Sequence, residues 1–345
     1  MSRWLAVLVL VAAARVSAAE PARFPSAVPL PMRVGVALVV NEVLTIEEAK
    51  GLFTAAVDVR IRWRDPRLAF DAKVEGLDRR EHVGREAEEL LRSIWTPEVM
   101  LANVVGTSRP PEIAVVVGAD GSVTKLQRLI ATFDTRYRLA AFPFDVQDLG
   151  IRVASSLYGR QRVVLVHDQA DIDASGLRPG LQLDGWRVRR VAFSLSEARG
   201  LSGGSLSHMT ASVRVERDPT PTIPIVFVPF VLLLFCASLT LWLDLDVDRR
   251  VPFLSSVILA LIALNFTATL RFPALTPQSA VIQLFWIGFG YLWFLLVAAV
   301  SVQNPAFARF TRSSHLLAEA VAYLRWAAPF LLAVIGVRTI VVALV

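Results

Sequence analysis

The residue types that make and break bonds are present in this chain but nowhere grouped to do so. The four histidines, His82, His167, His208 and His315, stand too far apart to match a metal-ligand spacing. No phosphate-cradling loop, nucleophile elbow or dinucleotide fingerprint occurs. The one cysteine, Cys236, excludes a disulfide within the chain. Nothing here calls for an enzyme, a metal or a cofactor. The informative spacing is Asp248, Pro252, Ser256, Leu259, Ala263 and Phe266, which with Leu270 recurs at threes and fours and so shares one helix face. Copies of that face around an axis would stack an acidic ring at Asp248, a wettable ring at Ser256 and hydrophobic constrictions at Leu259 and Phe266. Such rings select and stop ions. The competing reading is a buried helix whose Ser256 hydroxyl bonds its own backbone carbonyl.

The elements that must position this face are four apolar runs, roughly 223–243, 251–270, 280–302 and 326–345. Each is about 20 residues long, enough to cross ~30 Å of hydrocarbon. Hydrophobic residues are 54% of the 345, but they concentrate after Ile223, which places a boundary near 217–222. Residues 1–19 read as a signal peptide: Arg3, an apolar stretch over 5–14, then the small residues Val16, Ser17 and Ala18. This divides the chain into a leader, an exported domain over 20–217 and a membrane domain over 218–345. With the N-terminal domain outside, Arg249, Arg250, Arg309, Arg312 and Arg325 all fall on the inner side, against Arg271 alone in the short outer loop. The net charge of +6 is better explained by this topology than by nucleic acid, since no basic stripe is interleaved with stacking aromatics.

The exported part alternates apolar and polar residues with period two. Val57, Val59, Ile61 and Trp63 alternate with Asp58, Arg60, Arg62 and Arg64. Turn signals such as Asp120-Gly121 and Gly203-Gly204 separate the segments, which predicts an antiparallel, immunoglobulin-like β-sandwich. The one helix-like stretch is 81–93.

Four segments, in order, are similar to one known family. Trp63-Arg64-Asp65-Pro66-Arg67-Leu68 resembles a strand-end motif, and Trp95-Thr96-Pro97-Glu98 with Leu101 and Asn103 resembles the segment that follows it. Phe142-Pro143-Phe144-Asp145 matches the tip of a signature loop, and Arg217 with Pro224 and Pro229 resembles the entry to a first membrane helix. The family is the pentameric ligand-gated ion channels, or Cys-loop receptor superfamily, in its prokaryotic form. Thr135 and Leu149 occupy the positions of the eukaryotic loop cysteines. The stretch 63–70 and the Leu259–Phe266 pair are nearest to the bacterial amine-gated branch.

The resemblance implies a homopentamer in a bacterial inner membrane, in contact with lipid. A small-molecule agonist would bind between subunits of the exported domain and open a pore lined by the second helix. It implies a coupling cluster in which Asp145 and Glu48 hold Arg217, with Phe142, Pro143 and Phe144 at the loop tip and Pro273 shaping the outer loop. The expected aromatic ligand box is depleted: Ser156 and Ala102 replace aromatics, Ala154 replaces a carboxylate, and Tyr158 remains. Asn103 borders this region, residues 197–207 would cap it, and Arg60 or Arg62 on the opposing face would receive an anionic ligand. The Asp248 ring points to permeant monovalent cations. An anion-selective channel, given Arg249 and Arg250, and a non-conducting receptor of the same architecture are the alternatives.

Overall fold

A computed structural model describes residues 23–26, 28–200, 204–243, 246–273, 275–303 and 314–344. The expected leader, residues 1–19, lies outside the described residues, as do Arg309, Arg312 and Gly203.

Among the described residues the sandwich half forms twelve strands: β1 (Met32–Glu47), β2 (Leu52–Arg64), β3 (Arg79–Val83), β4 (Val99–Leu101), β5 (Val104–Thr107), β6 (Glu112–Gly118), β7 (Ser122–Asp134), β8 (Val146–Ser155), β9 (Val163–Val166), β10 (Gly176–Leu177), β11 (Trp186–Arg199) and β12 (Ser205–Arg217). They build two packed sheets. One runs β10-β1-β2-β7-β6-β3, with β5 on β7 and β9 on β1; the other runs β11-β12-β8-β4. In β2 every second residue from Phe53 to Trp63 is buried, because one sheet face meets the other sheet. Phe53 pairs directly with Phe133 of β7, their rings stacked at 5.2 Å. Such a cross-strand aromatic pair contributes about 0.5–1.5 kcal/mol beyond its buried area. The pairing is not purely antiparallel: β9 and β10 both join β1 in parallel.

The 81–93 stretch is only partly helical. Residues Arg79–Val83 pair with β6, and helix α2 runs over Arg85–Ser93. Gly84 makes the break at φ +59°, a conformation that a side chain would strain. Two single-turn helices complete this half, α1 (Ala72–Glu75) and α3 (Gln169–Ile172).

Among the described residues four helices follow: α4 (Val228–Leu239), α5 (Val247–Arg271), α6 (Ala280–Gln303) and α7 (Ser314–Leu344). Three of these are long and apolar enough to cross a membrane. The first run is shorter than its sequence suggests. Ile223–Phe227 is a π turn and regular helix ends at Leu239. Pro224 and Pro229 lie here without N–H donors, and a widened turn accommodates the missing i→i−4 bond. The second and fourth runs are longer than expected, and α7 starts twelve residues before Trp326 (326 minus 314). Pro252 therefore sits inside α5 instead of in its first turn. Leu254, Val257, Leu261 and Ala268 of α5 are buried among the neighbouring helices.

Candidate functional site

The two halves meet around one arginine. Arg217 is the last residue of β12, and Asp145 ends the turn that leads into β8. Their strands pair side by side, so the backbone N–H of Arg217 donates to the Asp145 carbonyl at 3.1 Å. The guanidinium donates to both carboxylate oxygens of Asp145, at 2.7 and 3.2 Å. It also reaches Glu48 at 2.7 Å. Glu48 opens a short 3-10 turn between β1 and β2, and Gly51 closes that turn at φ +72°. The Gly51 carbonyl accepts from the Thr135 backbone N–H, which pins the turn beside the end of β7. The side chain of Arg217 is 10% exposed, that of Asp145 1% and that of Glu48 19%. One cation between two largely desolvated anions is held strongly only while every partner is present.

Neutral groups complete the cage. Gln147 donates to Asp145 at 2.6 Å and bonds both backbone polar groups of Arg138. The guanidinium lies 4.2 Å from the Trp186 ring centroid and 4.7 Å from that of Phe142, favourable cation–π positions. Nearby, burial pushes the Tyr137 phenol above its usual range; Glu48 adds to this and Arg217 opposes it. Trp186 and Gln147 carried no sequence signal for this role beyond their places in strands.

The turn also touches the helices. Phe142 is buried in the helical core, its ring 5.0 Å from Phe272, which follows α5. Phe144 approaches Phe227 at 6.4 Å. Pro143 is joined to Phe142 by a cis bond. The Ala280 N–H, first in α6, donates to the Ala140 carbonyl at 2.9 Å. Pro273 lies exposed in the loop between α5 and α6.

The face of α5 singled out by spacing is the one left unpartnered. Pro252, Ser256, Leu259, Ala263, Phe266 and Leu270 are all exposed, Leu259 at 68% and Phe266 at 62%. Asp248 is exposed at the N-terminal end. Ser256 donates to the Pro252 carbonyl at 2.9 Å, yet it stays on the exposed face, so that backbone bond does not mark a buried helix.

The proposed ligand residues do not converge within the chain. Asn103 is buried and spent on the fold: its amide donates to the carbonyls of Asp134 and Gly150 and accepts from the Arg152 N–H. Tyr158 packs inward against Trp95 and Phe24, and its hydroxyl accepts from the Trp95 indole. Arg60 and Arg62 are both tied to Asp171, and Arg62 also to Asp168, at the start of α3. Ser156 bonds the Glu98 carbonyl, and Ala102 is exposed. The capping segment 197–207 includes residues outside those described.

Residues 17–219 match the model of the neurotransmitter-gated ion-channel ligand-binding domain. The chain is 25% identical to a proton-gated ion channel of Gloeobacter violaceus, over 80% of this chain and 73% of that protein. It is 24% identical to the acetylcholine receptor delta subunit of Xenopus laevis, over 84% of this chain and 57% of the relative. It is 25% identical to pH-sensitive chloride channel 2 of Drosophila melanogaster, over 71% and 46%. The chain thus spans about half the length of the two animal relatives.

Proposed function

Since the chain belongs to the neurotransmitter-gated ion-channel family, we propose that it forms a homopentameric ligand-gated channel in a bacterial inner membrane. An agonist binds between subunits of the sandwich domain. The Phe142–Asp145 turn, with Glu48 and Arg217, passes the change to α5 and α6. The observation that carries this reading is the exposed Pro252–Leu270 face on a helix whose opposite face is packed. A lone helix bundle would leave that apolar face in contact with lipid, whereas five copies around an axis make it a pore wall with constrictions at Leu259 and Phe266.

The relatives include an acetylcholine receptor subunit and a chloride channel, so kinship does not choose the permeant ion. The exposed Asp248 favours monovalent cations, as a carboxylate ring at one mouth concentrates them. The adjacent exposed Arg249 favours anions as the second reading.

Planar-bilayer recording of the purified protein, in wild-type and Leu259→Ala forms, tests the channel. Leu259→Ala should conduct more readily because the constriction is smaller. Silence of both forms across a ligand and pH screen would support the non-conducting receptor. Under a salt gradient, a reversal potential moving toward that of chloride would refute cation selectivity.

A further inference from the structure

Pro252 stands inside α5, on its exposed face and one turn beyond Asp248. In a regular helix the N–H of residue 252 donates to the carbonyl of residue 248. Proline has no N–H, so the Asp248 carbonyl loses that donor, and the pyrrolidine ring crowds it outward. The missing bond would run parallel to the helix axis, so the freed oxygen lies below Pro252, on the face that carries Ser256 and Leu259.

The hydroxyl one turn further on presents the same chemistry. Ser256 gives its proton to the Pro252 carbonyl at 2.9 Å, which leaves only lone pairs on the exposed side of its oxygen. Thr267, exposed next to Phe266, does likewise to the Ala263 carbonyl at 2.9 Å. Acceptors of this kind replace the water around a cation, whereas an anion requires donors.

Formal charge alone does not settle the choice of ion at this end of α5. Asp248 and Arg249 are one exposed charge of each sign, and the helix N-terminus adds about half a positive charge. Arg250 is turned aside, donating to the Leu243 carbonyl at 3.1 Å. The uncharged acceptors therefore tip a near balance.

We propose that Pro252 is a selectivity-determining residue of the pore. By withholding its N–H it leaves a ring of Asp248 carbonyl oxygens that, with the Ser256 hydroxyl oxygens above, coordinates a partly dehydrated monovalent cation at the inner mouth. The inference rests on the pentameric pore proposed above.

Reversal potentials in a potassium chloride gradient, recorded from full-length protein in planar bilayers and in the Leu259→Ala background, test it. Pro252→Ala returns the backbone donor, so it should lower the potassium-to-chloride permeability ratio by about two- to tenfold, the worth of one hydrogen-bond acceptor. The melting temperature should hold or rise, since alanine is the better helix former. Ser256→Ala should lower the ratio less. Asp248→Ala should keep a residual cation preference that Asp248→Ala/Pro252→Ala loses. Conduction with the ratio unchanged by Pro252→Ala, or with all preference already lost in Asp248→Ala, would overturn the proposal and leave the pore standing. Silence of every form would remove the pore and this proposal with it.

Discussion

The Phe142 ring lies 5.0 Å from that of Phe272, although Phe142 belongs to a turn of the sandwich and Phe272 caps the exposed helix α5. Phe142 is 2% exposed and buried among the helices, so the turn is a component of the helical core. Movement of the turn cannot leave the end of α5 unaffected, since close-packed interiors transmit displacement.

Phe142→Ala should remove this contact. The expected destabilisation is about 3–5 kcal/mol, as for other large-to-small aromatic truncations in a core. Thermal unfolding in detergent measures it. In a Leu259→Ala background the same change should weaken the response to any activating condition while leaving unitary conductance intact.

Asp145→Asn should cost more than Glu48→Gln. Asp145 is nearly inaccessible and holds Arg217 through two side-chain bonds, whereas Glu48 is 19% exposed and holds it through one oxygen. Removing the buried partner is expected to cost about 3–5 kcal/mol. A double-mutant cycle with Arg217→Gln should return a coupling energy above about 1 kcal/mol for Asp145 and a smaller one for Glu48. Equal couplings would mean that burial does not set the strength of the cluster.

Asn103→Ala should behave as a folding mutant. It deprives the Asp134 and Gly150 carbonyls and the Arg152 N–H of their partner, at about 1–3 kcal/mol for each group left buried. Chemical denaturation should show a large loss, whereas a pure ligand contact would leave stability unchanged.

The α3 tether should respond to acid. Desolvation raises the Asp168 carboxyl, but hydrogen bonds within the Asp168–Asp171 turn, and then Arg62, outweigh it and hold it below the usual range. With the folded value below the unfolded one near ~3.9, its contribution is complete above that value and is lost as pH falls through the folded value. Solvent exposure keeps the contribution small. Hydrogen-exchange protection of residues 168–175 should stay level from neutral pH to about 4 and drop below it. A step well above pH ~4 would instead count against Asp168 as the titrating group.

Asp248→Ala should reduce the preference for cations over anions with little effect on stability, since the side chain is exposed at the start of α5. Reversal potentials in a dilution gradient report it, and an unchanged ratio would remove Asp248 from the selectivity ring.

Local patterns were legible in the chain itself. Period two along β2 defined a strand because each sheet has one face toward the core. The three-and-four spacing in α5 separated Leu259 and Phe266 from Leu254 and Leu261 because a helix has a fixed rotation per residue. Even the Asp145–Arg217 pairing was readable, through the resemblance of the turn and of the first helix entry.

Tertiary structure decided how the remaining polar groups are used. From sequence, Arg60, Arg62, Asn103 and Tyr158 could all have faced a ligand. Folding brings Asp168 and Asp171 to the two arginines across more than a hundred residues, and it turns Asn103 and Tyr158 into the sandwich. It also stacks Trp186 on Arg217. Strand and helix periods depend on neighbours a few residues apart, so the sequence carries them directly. The partner of a buried charge comes from wherever the sheets and loops close, and only the packed chain specifies it.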